Sequence, residues 1–225
     1  MPFEVPQRIS GAVPDSGRLD RIRKTLAASV KPVRPLPSNA VMMMMCVGAF
    51  AGLAILLAFP AGFSGFAKMS ASGRWMDYSA LLLIALVMAG SVVEQMIPGS
   101  RRTMRPVWLI VIAMLLLSVA SLVLFPDSGL DAHPFVSRGI PCLRYGVLCA
   151  IPGGALTWIL MRCGFVTDPV SGAISAGAFS GLLGTAALAL HCPILNAAHI
   201  IAWHVGVIVV TSLAGVVIGF VQVRR

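Results

Sequence analysis

The sequence is short of charge. Asp, Glu, Lys and Arg make up 11% of its 225 residues, against about 25% in an ordinary soluble domain. Acidic residues are scarcer still: eight, against 17 Lys and Arg. Glu94 is the only carboxylate inside a long apolar run, so no carboxylate pair is placed for acid–base chemistry. A glycine-rich nucleotide loop with its lysine and a Gly-x-Ser-x-Gly nucleophile elbow are also missing. Nothing in the pattern argues for an enzyme. Aromatic residues are 7% and cysteines number five, and the cysteine spacing matches no standard zinc signature. The first 38 residues are too polar to contain the apolar core of a signal peptide, so no cleavable leader is expected.

Apolar length is abundant. The chain is 58% hydrophobic with a mean hydropathy of +0.91, and nearly uncharged runs of about 20 residues recur. Such runs span a bilayer as helices, because in lipid the backbone must satisfy its own hydrogen bonds. The expected fold is an all-α integral membrane protein of six transmembrane helices, at about 40–60, 79–97, 107–125, 141–161, 170–190 and 200–221. These make one membrane domain, 39–225, with short linkers that favour antiparallel neighbours.

Residues 1–38 read as a separate arm. The stretch 1–17, with Pro2, Pro6, Gly11, Pro14 and Gly17, has no apolar period and is expected to be disordered. Over 18–30, Leu19, Ile22, Leu26 and Val30 recur at helical spacing, with Arg18, Arg21, Arg23 and Lys24 on other faces. This predicts a short amphipathic helix capped by Asp15 or Ser16. Pro32, Pro35 and Pro37 then make 31–38 an extended connector. The arm suits docking into a groove on an acidic partner, or lying on anionic lipid.

Basic residues set the orientation. Arg8, Arg18, Arg21, Arg23, Lys24, Lys31, Arg34, Arg101, Arg102, Arg105, Arg162, Arg224 and Arg225 fall on one side, and Lys68, Arg74, Arg138 and Arg144 on the other, 13 against 4. Both termini are therefore expected in the cytoplasm. The net charge of +9 is explained by this asymmetry, and direct nucleic-acid binding is not expected. Trp75, Tyr78, Tyr145 and Trp203 fall near the outer surface, as an aromatic belt would.

This topology brings two thiols to one face. Cys142 opens the fourth span and Cys192, within His191-Cys192-Pro193, closes the fifth. His191 and His199 lie beside them, with His204 one turn further in. Cys46 and Cys163 lie toward the cytoplasmic side, and Cys149 is two turns deeper than Cys142 on the same helical face. Thiolate and imidazole suit zinc and softer metals, and a close thiol pair can oxidise. The bland alternatives stand beside these: cysteine as a small apolar residue, and histidine rings among headgroups. Glu94 reads as an ion pair with Arg101, Arg102 or Arg105. Gly48-x-x-x-Gly52, Gly177-x-x-x-Gly181 and Gly215-x-x-x-Gly219 permit close helix approach, more simply within one chain than between two. Pro152-Gly153-Gly154 interrupts the fourth span and is expected to kink it. Met42 to Met45 point around their helix and read as packing.

A basic amphipathic helix leads through Lys31-Pro32-Val33-Arg34-Pro35-Leu36 into six spans. An Arg-Arg loop follows the second, the fifth ends Leu190-His191-Cys192-Pro193, and His199-x-x-x-Trp203 comes next. This resembles the NrsF-type membrane anti-sigma factors, negative regulators of an extracytoplasmic-function sigma factor of the sigma-F kind. The resemblance implies a multi-pass protein of the bacterial inner membrane whose cytoplasmic arm sequesters the sigma factor. It implies that two outward-facing cysteines, here Cys142 and Cys192, sense heavy-metal or oxidative stress. On that reading His191, and more weakly His199, could add to a metal or disulfide site. Leu19, Ile22, Leu26 and Arg23 would meet the sigma factor. No constitutive cofactor is implied, only a thiophilic metal ion as signal. Two rival readings stand: a small-molecule or metal-ion permease, which requires a polar path at the midplane, and a scaffold subunit stapled by a disulfide.

Overall fold

The computed structural model describes residues 16–29, 37–97, 99, 104–125 and 132–224. The expected disordered start before Ser16, Val30 and most of the Pro-rich connector lie outside these residues. The chain divides into two units at Leu36–Pro37.

The first unit contains α1, Ser16–Ser29. Leu19, Ile22 and Leu26 are 51%, 47% and 60% exposed. Their spacing places them on one side of a helix, so this apolar face is open. Thr25 donates to the Arg21 carbonyl at 2.9 Å. Fourteen residues are marginal for an isolated helix.

The second unit is a helical bundle. Its elements are α2 (Asn39–Ala58, continued by a 3-10 turn Phe59–Ala61), α3 (Ser64–Lys68), α4 (Ala71–Met96) and α5 (Pro106–Leu124), then α6 (Ala132–Cys163) and α7 (Pro169–His191). The last rod joins α8 (Ala197–His199), a π-helical segment Ile200–Val205 and α9 (Gly206–Val223). Among the described residues, six helices are long and apolar enough to cross a membrane. Their starts follow local chemistry. Ser38, Ser70, Asp168 and Asn196 each accept a backbone N–H as N-cap, while Pro106 and Pro169 take first-turn positions where no N–H is needed.

α7 is the axis. Of its apolar window 67% is buried, against 22–44% for the other five. Its run of Gly, Ala and Ser lets neighbours approach to backbone contact. A Cβ on Gly177 would stand 2.4 Å from the Thr211 carbonyl oxygen, and one on Gly215 would stand 2.3 Å from that of Ala173. The glycine pairs of α7 and α9 thus each press against the other helix inside one chain, Gly177 and Gly181 on Thr211 and Ile208, Gly215 and Gly219 on Ala173 and Val170. Gly48 and Gly52 meet no atom within 4 Å of such a Cβ, so the first-span motif takes no part in this packing. Phe179 meets Phe50 of α2 with ring centroids 5.6 Å apart, and Ser91 and Ser175 share a buried hydrogen bond of 3.1 Å. Leu56, Leu83, Leu115 and Val123 point outward and are exposed. An apolar surface of this extent suits hydrocarbon rather than water.

Two expectations are corrected. Pro152-Gly153-Gly154 does not interrupt the fourth span, for α6 is helical from Ala132 to Cys163 and carries both Pro141 and Pro152 inside it. The glycine instead provides closeness: a Cβ on Gly153 would lie 2.8 Å from Leu183 and 3.2 Å from the Ser180 backbone. The last rod is not regular, because its first turns are π-helical at Ile200–Val205. Of the cations expected to pair with Glu94, Arg101 and Arg102 lie outside the described residues.

Candidate functional site

Four side chains converge at one end of the bundle. α6 supplies Cys142, the residue after α7 supplies Cys192, α8 supplies His199 and the π-helical segment supplies His204. One ligand atom from each lies within 4.8 Å of all the others. Cys142 Sγ is 3.7 Å from Cys192 Sγ, and Cys192 Sγ is 3.6 Å from His199 Nε2. The His199 and His204 rings meet edge to face at 5.4 Å. Cys192, His199 and His204 are buried and Cys142 is half-buried. Both thiols are free.

Local sequence explains each position. Pro193 cannot continue α7, which ends with the Cys192 amide donating to the Leu188 carbonyl at 2.7 Å. Asn196 then restarts a helix by accepting the His199 amide at 3.2 Å, fixing His199 at its first turn. The π-helical segment widens the next turn, and the Thr185 hydroxyl donates to the His204 carbonyl at 2.9 Å. That bond ties the segment to α7 and turns the His204 ring inward. His204 Nε2 is buried with no hydrogen-bond partner.

Cys192 lies just past the α7 span. Its pKa is drawn below the ordinary thiol value by the hydrogen bond from Cys142, against the opposing effect of burial, with His199 and His204 adding to the downward shift. A cavity of about 30 Å³ touches Cys192, His204, Thr185, Ser121 and Asp77. That is room for a water or a small ion.

His191 stands outside this group. Its Nδ1 lies 3.2 Å from the Gly62 carbonyl oxygen and its ring packs on Tyr145 at 5.2 Å. It belongs to a latch that holds the segment after α2 over the end of α7. Ser64 donates to the His191 carbonyl, and Tyr145 donates to the Leu57 carbonyl at 2.6 Å. Gly65 sits against the Ala189 and Cys192 carbonyls, where a Cβ would come within 2.6 Å of each oxygen. Of the residues singled out from sequence, the structure thus brings together Cys142, Cys192 and His199 and adds His204. Cys46 and Cys149 are buried elsewhere, and Cys163 is exposed near the far end of α6.

Helices of this length and apolarity, with a thiol–imidazole cluster at one end, are those of a multi-pass membrane protein. The family model described as "NrsF: Negative regulator of sigma F" matches residues 26–224, nearly the whole chain. The protein belongs to that family, and is a negative regulator of a sigma factor. The match opens at Leu26, so Leu19, Ile22 and Arg23 precede it. No curated protein and no solved structure matches the chain.

Proposed function

We propose that this protein is an anti-sigma factor of a bacterial inner membrane, with both termini cytoplasmic. It sequesters an extracytoplasmic-function sigma factor through its N-terminal arm. It releases that factor when Cys142 and Cys192, facing outward, meet a thiophilic metal or an oxidant. The observation that carries the reading is the open face of Leu19, Ile22 and Leu26 on α1, beside the exposed Arg21, Arg23 and Lys24. In a negative regulator of a sigma factor, an exposed apolar face of this kind suits docking into a groove of that factor.

The input end has the chemistry that this mechanism needs. Driving an arm from nearly all bound to nearly all free takes a differential of about 5.5 kcal/mol. Thiolate chelation of a metal releases free energy on that scale or larger, about 10–16 kcal/mol in structural zinc sites. α6 links the two membrane faces as one unbroken helix from Cys142 to Arg162, about 30 Å at 1.5 Å per residue. A shift at Cys142 has this one helix as its path to the other face.

The permease reading gains no support. The groove between α6, α7 and α9, about 770 Å³, is lined mainly by apolar residues such as Val147, Ile151, Trp158 and Ile218, with Arg162 and Gln222 among its few polar ones.

Deleting residues 18–30 is the test. The co-expressed sigma factor should move from the membrane to the soluble fraction, and transcription of its targets should rise. A sigma factor that stays membrane-bound after the deletion sinks the proposal.

A further inference from the structure

We propose that Cys142, Cys192, His199 and His204 form a four-coordinate site for one divalent ion of the zinc and cadmium class. The inference deepens the sensory reading of this end of the bundle, and its role as the input rests on that reading. What it adds is the ligand set: two imidazoles from the start of the last rod complete the two thiolates, and His191 is excluded.

Geometry carries the assignment. With metal–sulfur bonds of about 2.3 Å and metal–nitrogen bonds of about 2.0–2.1 Å, a tetrahedron has S–S edges of about 3.8 Å and S–N edges of about 3.6 Å. The observed Cys142–Cys192 and Cys192–His199 separations are 3.7 and 3.6 Å. The remaining edges lie within 4.8 Å, so the fourth ligand closes by a shift of about an ångström. Two thiolates and two neutral imidazoles are the donor set of tetrahedral borderline ions. Hard ions such as magnesium or calcium want oxygen ligands.

Burial points the same way. His204 is 3% exposed, and its Nε2 has no hydrogen-bond partner. An interior imidazole with an unpaired nitrogen is costly unless something engages the ring. His199 and His204 are both buried, each with a ring nitrogen within 4.8 Å of the Cys192 sulfur. A regular α-helical register from Asn196 would not be expected to aim both rings at one sulfur. The π-helical segment between them, held by Thr185, changes that register. π-helical turns inside α-helices are frequent at functional sites. A cavity of about 30 Å³ touches Cys192 and His204, with the Asp77 carboxylate also on its wall.

Sites of this kind bind only deprotonated ligands, so protons compete and affinity falls in acid.

The test uses the full-length chain purified in detergent, reduced and stripped with a chelator. Zinc, cadmium and cobalt(II) are then titrated against a competing chelator of known affinity. One ion per chain is expected. Cobalt should give the intense visible bands of a tetrahedral ion together with sulfur charge transfer. H199A and H204A should each weaken zinc by more than about tenfold, and H191A should not. Because His204 is buried, its variant can fail to fold, so cadmium-113 NMR of the unaltered chain reads the donor set directly. A resonance in the two-sulfur, two-nitrogen range supports the site. No stoichiometric binding, or a donor set without nitrogen, overturns it. Loss of the imidazoles alone would leave a two-thiolate sensor standing, and the sigma-factor reading fails only in the arm-deletion experiment.

Discussion

Cys142 Sγ lies 3.7 Å from Cys192 Sγ, although α6 and α7 separate the two residues in sequence by 50 positions. A disulfide needs about 2.05 Å. The pair is therefore in contact but unbonded, close enough to oxidise and at the right separation to share an ion. Both events use the same sulfur electrons and exclude each other.

Mild peroxide should accordingly join this pair and no other. The balance is two thiols and one peroxide giving one disulfide and two waters. Differential alkylation of the denatured chain and mass spectrometry should find Cys142 and Cys192 alkylated only after reduction, and Cys46, Cys149 and Cys163 alkylated without it. Cys142→Ser should leave Cys192 unpaired, and bound zinc should slow the reaction severalfold. Equal oxidation with and without zinc would mean that the metal sits elsewhere.

His191 is a latch residue. Its removal costs the hydrogen bond to the Gly62 carbonyl and the contact with Tyr145. One such bond is worth about 0.5–1.5 kcal/mol. H191A should lower the unfolding midpoint slightly in detergent while zinc affinity stays within about twofold, because the ring points away from the cluster. A large fall in zinc affinity would return His191 to the ligand set.

The glycines sort by what they face. Gly215→Ala drives a Cβ to 2.3 Å from the Ala173 carbonyl oxygen and should destabilise the bundle, by the about 1–3 kcal/mol typical of overpacking. Gly48→Ala meets nothing within 4 Å and should be neutral, or stabilising by about 0.5–1 kcal/mol through helix propensity. Thermal unfolding of both variants in one detergent gives the comparison. If Gly48→Ala proves the more harmful, the first span has a packing partner outside this chain.

The six spans were legible because lipid demands long apolar runs, and charge interrupts such runs only at their ends. Antiparallel neighbours then put Cys142 and Cys192 at one face. Three things escaped. The latch Ser64–Lys68 is a loop-length feature with no apolar period of its own. α6 begins at Ala132 rather than near 141, because Ser137 and Arg138 break the hydropathy while remaining compatible with a helix. The exchange of His191 for His204 depended on a π-helical register that spacing cannot announce. His191 looked the better candidate because it is adjacent to Cys192 in sequence. Yet neighbours across a helix end point apart, and the latch takes His191 toward Gly62. The apolar face on α1 was readable from spacing, since Leu19, Ile22 and Leu26 need only a helical period to align.

The central claim is that occupancy of the thiols governs the hold on the sigma factor. It is tested most directly by reconstituting the protein in vesicles with its sigma factor bound and adding cadmium. The account predicts that sigma factor is released from wild-type vesicles in proportion to bound cadmium and retained by vesicles carrying C142S together with C192S. Equal release from both, or full retention by wild-type protein with its site filled, would contradict it.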